Sequence, residues 1–170
     1  MKKIFILLLF ILNFEYSYAE NKIVYLDLNY ILNNSIVGQT ITKHIKNIKE
    51  KNNKEFSLNE KKLLDKENDI LKKKNIIEKS EFNKQVNLLK KEINEYRIKK
   101  KTFNKDIDDR KIKYTKIVLN SLNPIISKYV EENSISMVVP KKNIIIAKKN
   151  LDITNSIMDL LNNQLKKVDF

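Results

Sequence analysis

The sequence predicts a mostly α protein with a small β body: a long antiparallel helical hairpin of coiled-coil type, projecting from a compact β-rich piece. Three observations carry this. A basic segment of about ninety residues, Gln39 to Glu132, contains no glycine and no proline except Pro124. Its apolar residues recur every three or four positions, the spacing of helices packed along a narrow seam. Short β-branched runs occur only outside that segment, at Ile23–Leu26, Ile135–Val139 and Ile144–Ala147.

The first helix has the ladder Ile41, Ile45, Ile48, Phe56, Leu63, Ile70 and Ile77; the second has Phe82, Val86, Leu89, Ile93, Tyr96, Phe103, Ile107, Tyr114 and Ile117, with Lys100 and Arg110 in ladder positions. The two ladders are out of phase. Between them, Ser80 is a good N-cap, because its hydroxyl can accept from a free backbone N–H just downstream. Glu81 then occupies the first turn, where the helix dipole favours an anion. A turn near residues 78–80 is therefore expected, with arms of roughly 57 Å at 1.5 Å per residue.

The N-terminus reads as an export signal. Lys2 and Lys3 precede the apolar run Ile4–Leu12, and Ser17-Tyr18-Ala19 supplies small residues for cleavage. The run is too short for a membrane-spanning helix. Cleavage after Ala19 is expected, so that residues 1–19 are signal peptide and the mature protein works outside the cytoplasm. Residues 20–38 and 133–170 form the β-containing body with a C-terminal helix, and residues 39–132 the hairpin.

Within the body, Lys22–Asp27 is read as a strand, Asn29 as the cap of a short helical turn, and the single glycine, Gly38, as the passage into the long helix. Pro124 predicts a kink or a restart of the second arm. Ile135–Val139 and Ile144–Ala147 are read as two strands around a turn at Pro140–Asn143. The last helix starts near Thr154, read as its N-cap, with Ile153 and Met158 as a hydrophobic staple and Ile157, Leu160, Leu161 and Leu165 as its apolar face. A body of roughly 50 residues is marginal alone, so association through the strands is expected at Ile23, Tyr25, Met137, Val139, Ile144 and Ile146.

The whole chain has 34 Lys+Arg against 21 Asp+Glu. Without Lys2, Lys3 and Glu15 the mature chain keeps 32 against 20, and the hairpin holds 25 against 15 of these. Near the expected turn, Lys72, Lys73, Lys74, Lys79, Lys84, Lys90 and Lys91 face only Glu78 and Glu81. Such a field attracts acidic partners and makes association salt-dependent. An exported chain meets acidic unfolded polypeptide or an anionic lipid or lipopolysaccharide surface, and no nucleic acid. The heavy use of Lys, Asn and Ile also matches the codon bias of an AT-rich genome.

The chain has no cysteine, which excludes disulfides, thiol catalysis and thiolate metal sites. Its one histidine, His44, flanks the first ladder and is expected at the seam edge or in solvent. Asp27, Asp152 and Asp159 are scattered, with no glycine-rich phosphate loop and no nucleophile–base pair. No catalytic, cofactor or metal residues are expected, and no enzyme. A coiled-coil adaptor or envelope spacer that grips one folded partner is the competing class.

In the order of its parts the chain resembles the Skp (OmpH) family of periplasmic chaperones. The resemblance covers the mature chain: Lys22–Asp27, the long charged hairpin, Ile135–Val139, Ile144–Ala147, then Leu151-Asp152-Ile153-Thr154 before a last helix. It implies a jellyfish-like homotrimer joined through its β body. The tentacles would enclose unfolded outer-membrane proteins without ATP until delivery to the outer membrane. The basic hairpin turn agrees with that family, and Phe82 and Tyr96 become candidate client contacts beside the lysines. The arms depart from the family in having few alanines and glutamines.

Overall fold

The computed structural model of the chain describes residues 22–170; the expected signal peptide and its cleavage site lie outside them. Among the described residues, two strands and four α-helices follow in order, β1 (Lys22–Leu26), α1 (Leu28–Asn34), α2 (Ile36–Lys72), α3 (Lys79–Glu132), β2 (Ile135–Pro140) and α4 (Thr154–Gln164), with two short 3-10 helices, Lys141–Asn143 and Lys149–Leu151, between β2 and α4.

β1 and β2 pair in parallel, with Ile23 opposite Met137, Val24 opposite Val138 and Tyr25 opposite Val139. The register shifts between Lys22 and Ile23, so Ser136 is the extra residue of a bulge. Parallel neighbours require a crossover connection, and here the crossover is the entire α2–α3 hairpin. The other edge of β1 is touched once, where the Ile153 N–H donates to the Tyr25 carbonyl at 3.0 Å. The second strand expected at Ile144–Ala147 is absent. That stretch is an irregular connection in which Ile145 and Ile146 are fully exposed. β-branched residues favour a strand only where a neighbouring strand receives them, and this stretch pairs with neither β1 nor β2.

α1 is capped by Asp27, whose carboxylate accepts from the Tyr30 N–H at 2.9 Å. Asn29 is not the cap; it lies inside the helix. Ser35 both ends α1, donating its N–H to the Ile31 carbonyl at 3.0 Å, and caps α2, its hydroxyl accepting from the Gly38 N–H at 3.2 Å. α2 thus begins before the expected Gln39. A Cβ on Gly38 would lie 2.1 Å from the Leu32 carbonyl oxygen, so glycine permits α1 to fold back onto the first turn of α2.

The arms turn at residues 73–78. Lys73 and Lys74 donate back to Ile70 and Leu71, and Ile76 and Ile77 both donate to Lys73. The cap position of α3 is Glu78, which makes no side-chain cap bond. Ser80 lies within the first helical turn, contrary to the sequence reading. α3 then runs unbroken through Pro124 to Glu132. Proline removes one backbone donor, but the flanking residues Leu122 and Ile125 are buried in the core and hold the helix together.

α4 starts at Thr154, with Ile153 in the cap position and no side-chain cap bond there. Ile157 and Leu161 are buried, whereas Leu160 is exposed rather than part of the packed face. The core joins Val24, Leu26, Ile31 and Val37 to Tyr114, Val118, Leu122 and Ile125 of α3 and to Ile153, Ile157 and Leu161 of α4. The body is therefore larger than its flanking segments suggest, because the proximal end of α3 runs through it.

Candidate binding surfaces on the arm and body

Every apolar position of both predicted ladders is buried or half-buried. The residues step in threes and fours, so each seam position has two flanks. On one flank, Lys66 reaches Glu92 at 2.7 Å and Lys99 reaches Glu55 at 2.6 Å, both across the arms. At the seam, the Tyr96 hydroxyl donates to Glu60 at 2.5 Å and Lys100 pairs with the same carboxylate at 2.7 Å. This explains the lysine in the ladder. Hydrogen bonds from Lys100 and then from Tyr96 hold the Glu60 carboxyl below its ordinary range. Burial, and then its bond to Glu60, push the Tyr96 hydroxyl up. Phe56 meets Tyr96 and Phe103 edge to face, with centroids 5.9 and 5.4 Å apart. Tyr96 is thus a clamp between the arms, and Phe82 is half-buried on the seam near the turn.

The lysines singled out by sequence are all exposed around the turn. Lys72 touches Asp69 at 3.5 Å; Lys73, Lys74, Lys79 and Lys84 have no ion pair among the described residues. Sequence reasoning missed the apolar residues beside them. Ile76 is 79% exposed at the turn itself, and Leu64 and Leu71 are 55% and 56% exposed on α2. Their signal was present: they are large aliphatics off the ladder.

In the body, Ile23 and Met137 sit opposite each other and are both about half exposed. Val139 is half-buried. Tyr25 is buried, with the Lys141 ammonium 5.9 Å from its ring centroid. Ile144 is half-buried, and Ile146 stands in solvent outside any strand. The six residues named for association therefore do not form one surface within a single chain; Ile23 and Met137 do.

Asp152-Ile153-Thr154 is a structural lock. The Asp27 N–H donates to the Thr154 hydroxyl at 2.9 Å, and Thr154 donates its own hydroxyl and N–H to the Asp152 carboxylate. Lys141 joins the same carboxylate at 3.0 Å. Burial pulls the Asp152 carboxyl upward, but the bonds from Thr154 and Lys141 outweigh it, and the group sits below its ordinary range. Beside the lock, a cavity of about 270 Å³ opens between Leu26, Leu119, Leu122, Ile126 and Val138. Among the described residues no group of His, Cys, Asp and Glu is placed to hold a metal, and no helix is long and apolar enough to cross a membrane.

The model of the family "Outer membrane protein (OmpH-like)" matches residues 22–161. A crystal structure of an OmpH-like protein from Caulobacter crescentus CB15, assigned there as an outer membrane chaperone, superposes with a TM-score of 0.78. It is 19% identical, and the match covers 88% of each chain. No curated protein matches the sequence. A hairpin of two long helices set on a small parallel sheet is the fold the two proteins share. Because the family model spans most of the sequence, this chain belongs to the OmpH-like family of outer membrane proteins.

Proposed function

We propose that the protein is an ATP-independent periplasmic holdase that shields unfolded outer-membrane proteins between helical arms until they reach the outer membrane. The observation that carries this reading is the arm itself. Its seam is satisfied by apolar packing and ion pairs, yet it leaves large aliphatics and unpaired lysines in solvent along its distal half. An unfolded barrel strand presents apolar side chains and unpaired backbone groups that would otherwise aggregate. Many weak contacts from several arms shield it while each contact exchanges quickly.

The reading includes export, with cleavage after Ala19, and a homotrimer. Association is supported by the exposed aliphatics Ile23 and Met137 on the sheet and Ile145 and Ile146 beside it, which a second copy would cover. It also includes docking of the lysine-rich turn on an anionic lipid or lipopolysaccharide surface. The test is light scattering of a chemically unfolded outer-membrane barrel diluted from denaturant, with and without the mature protein. Suppressed aggregation at near-stoichiometric protein without nucleotide is expected. Undiminished aggregation at tenfold excess overturns the reading.

A further inference from the structure

The two flanks of the arm differ in chemistry. The cross-arm pairs Lys66–Glu92 and Lys99–Glu55 both lie on one flank, and Glu92 and Lys99 are seven residues apart, as a coiled-coil repeat requires. On the opposite flank of α3 the same repeat places Lys90 and Arg97, both exposed. Neither makes an ion pair among the described residues. The neighbouring flank of α2 carries the exposed Leu64 and Leu71, also seven residues apart. Between these rows lie Val86 and Ile93, half-buried on the seam. Two carboxylates lie on this flank of α2: Glu60, held by Tyr96 and Lys100 in a clamp that closes the proximal end, and Glu67, one repeat nearer the turn, exposed and without an ion pair among the described residues.

We infer that this flank, from the Glu60 clamp to the turn, is the client-facing surface of the arm, and that it takes an extended polypeptide segment carrying both acidic and apolar side chains. The inference rests on the holdase reading and names which face of the arm does the holding. Leu64 to Lys74 spans about 15 Å of helix, the length of roughly five residues of extended chain. The leucines and the recessed Val86 and Ile93 offer apolar contact, and Lys90 and Arg97 offer unpaired positive charge. The opposite flank also exposes Leu58 and Leu88 and carries Lys62 without an ion pair among the described residues, but its Glu55, Lys66, Glu92 and Lys99 pair with one another across the arms. A single extended chain can reach the recessed floor between the two rows, whereas a flat bilayer surface cannot.

The experiment places a photo-crosslinking residue singly at Leu71, Lys90 or Arg97 on one flank, and at Lys62, Gln85 or Glu95 on the other. The probe is a chemically unfolded acidic outer-membrane barrel. Crosslinks concentrated several-fold on the first set are expected. As a second measurement, the Leu64→Ser, Leu71→Ser double variant should bind the same barrel roughly tenfold more weakly. Leu58→Ser, Leu88→Ser should change binding little. Equal crosslinking on both flanks, with aggregation still suppressed, overturns the flank assignment and leaves the holdase reading standing. Absent crosslinks together with undiminished aggregation overturn both.

Discussion

The His44 imidazole lies flat on the Phe170 ring, with centroids 3.8 Å apart and planes 8° from parallel. Tyr114 meets both rings edge to face. His44 belongs to α2, Tyr114 to α3, and Phe170 to the tail beyond α4, where Val168 is buried. The tail thus fastens the last helix of the body to both arms at their base. The His44 Nε2 is buried without a hydrogen-bond partner among the described residues, and the ring is packed by the stack on Phe170 and the edge of Tyr114. Phe170→Ala should lower stability by about 1–2 kcal/mol, the scale of an aromatic pair with its lost burial, readable as a fall in the midpoint of denaturant unfolding. An unchanged midpoint means the tail contributes nothing.

The junction of α1 and α2 should be the most sensitive point in the body. Ser35 is fully buried and caps α2, so Ser35→Ala is expected to cost about 1–2 kcal/mol. Gly38→Ala should be worse, because its methyl group would meet backbone rather than a movable side chain. The measurement is urea unfolding followed by circular dichroism, and Gly38→Ala should have the lower midpoint.

Asp152 gives the body an acid sensitivity. Its folded-state carboxyl is held below the ordinary value of 3.8. The stabilisation is therefore fully present above about pH 4 and is lost as pH falls through the folded-state value. Asp152→Asn should cost about 1–3 kcal/mol at pH 7, where it weakens the bonds from Thr154 and Lys141. The gap between the two proteins should narrow below pH 4. A gap that stays constant with pH would assign the effect to packing.

Ile107 is 1% exposed on the seam and Ile93 is half-buried nearer the turn. Ile107→Asp places an unpaired carboxylate in a packed position and should cost about 3–5 kcal/mol. Ile93→Asp should cost less, because water reaches that level of the arm. Thermal unfolding and helix content of the two variants would show the ranking, and equal losses would contradict it.

Replacing Lys72, Lys73, Lys74, Lys79 and Lys84 with glutamine should slow capture of an acidic unfolded barrel at low salt and leave dissociation little changed. Screening acts over roughly 8 Å at physiological salt, so high salt should slow the parent protein to the same rate. Stability should move by no more than about 0.5 kcal/mol per site, since all five are exposed. Equal stopped-flow rates at low salt would make the lysines solvated surface.

The arm was readable from the sequence because two packed helices impose a repeat that every seam residue obeys, from Ile41 to Ile117. Lys100 breaks the pattern chemically but not geometrically, since its ammonium leaves the seam to meet Glu60. The body was harder to read. Ile144–Ala147 has the composition of a strand, but it pairs with neither β1 nor β2 and its Ile145 and Ile146 stand in solvent. Ser80 has the composition of a cap, yet the chain enters the helix at Glu78 because the turn hydrogen bonds to Lys73 finish there. The aliphatics Leu64 and Leu71 were invisible to a search for ladders, because they lie off the repeat.

Because Lys22 pairs with Ile135, the first strand made must wait for nearly the last part of the chain before it can pair. Joining such distant strands in an unstructured chain is slow, since the loop's entropy is lost before any contact compensates. The hairpin removes that obstacle. Its helices form from local contacts, and once they zip together the base of α2 lies alongside the proximal part of α3, whose end leads into β2, while α1 folds back to carry β1 to it. The arm is thus also the device that delivers β1 to β2. A defect far out on the seam should therefore delay formation of the body without touching it.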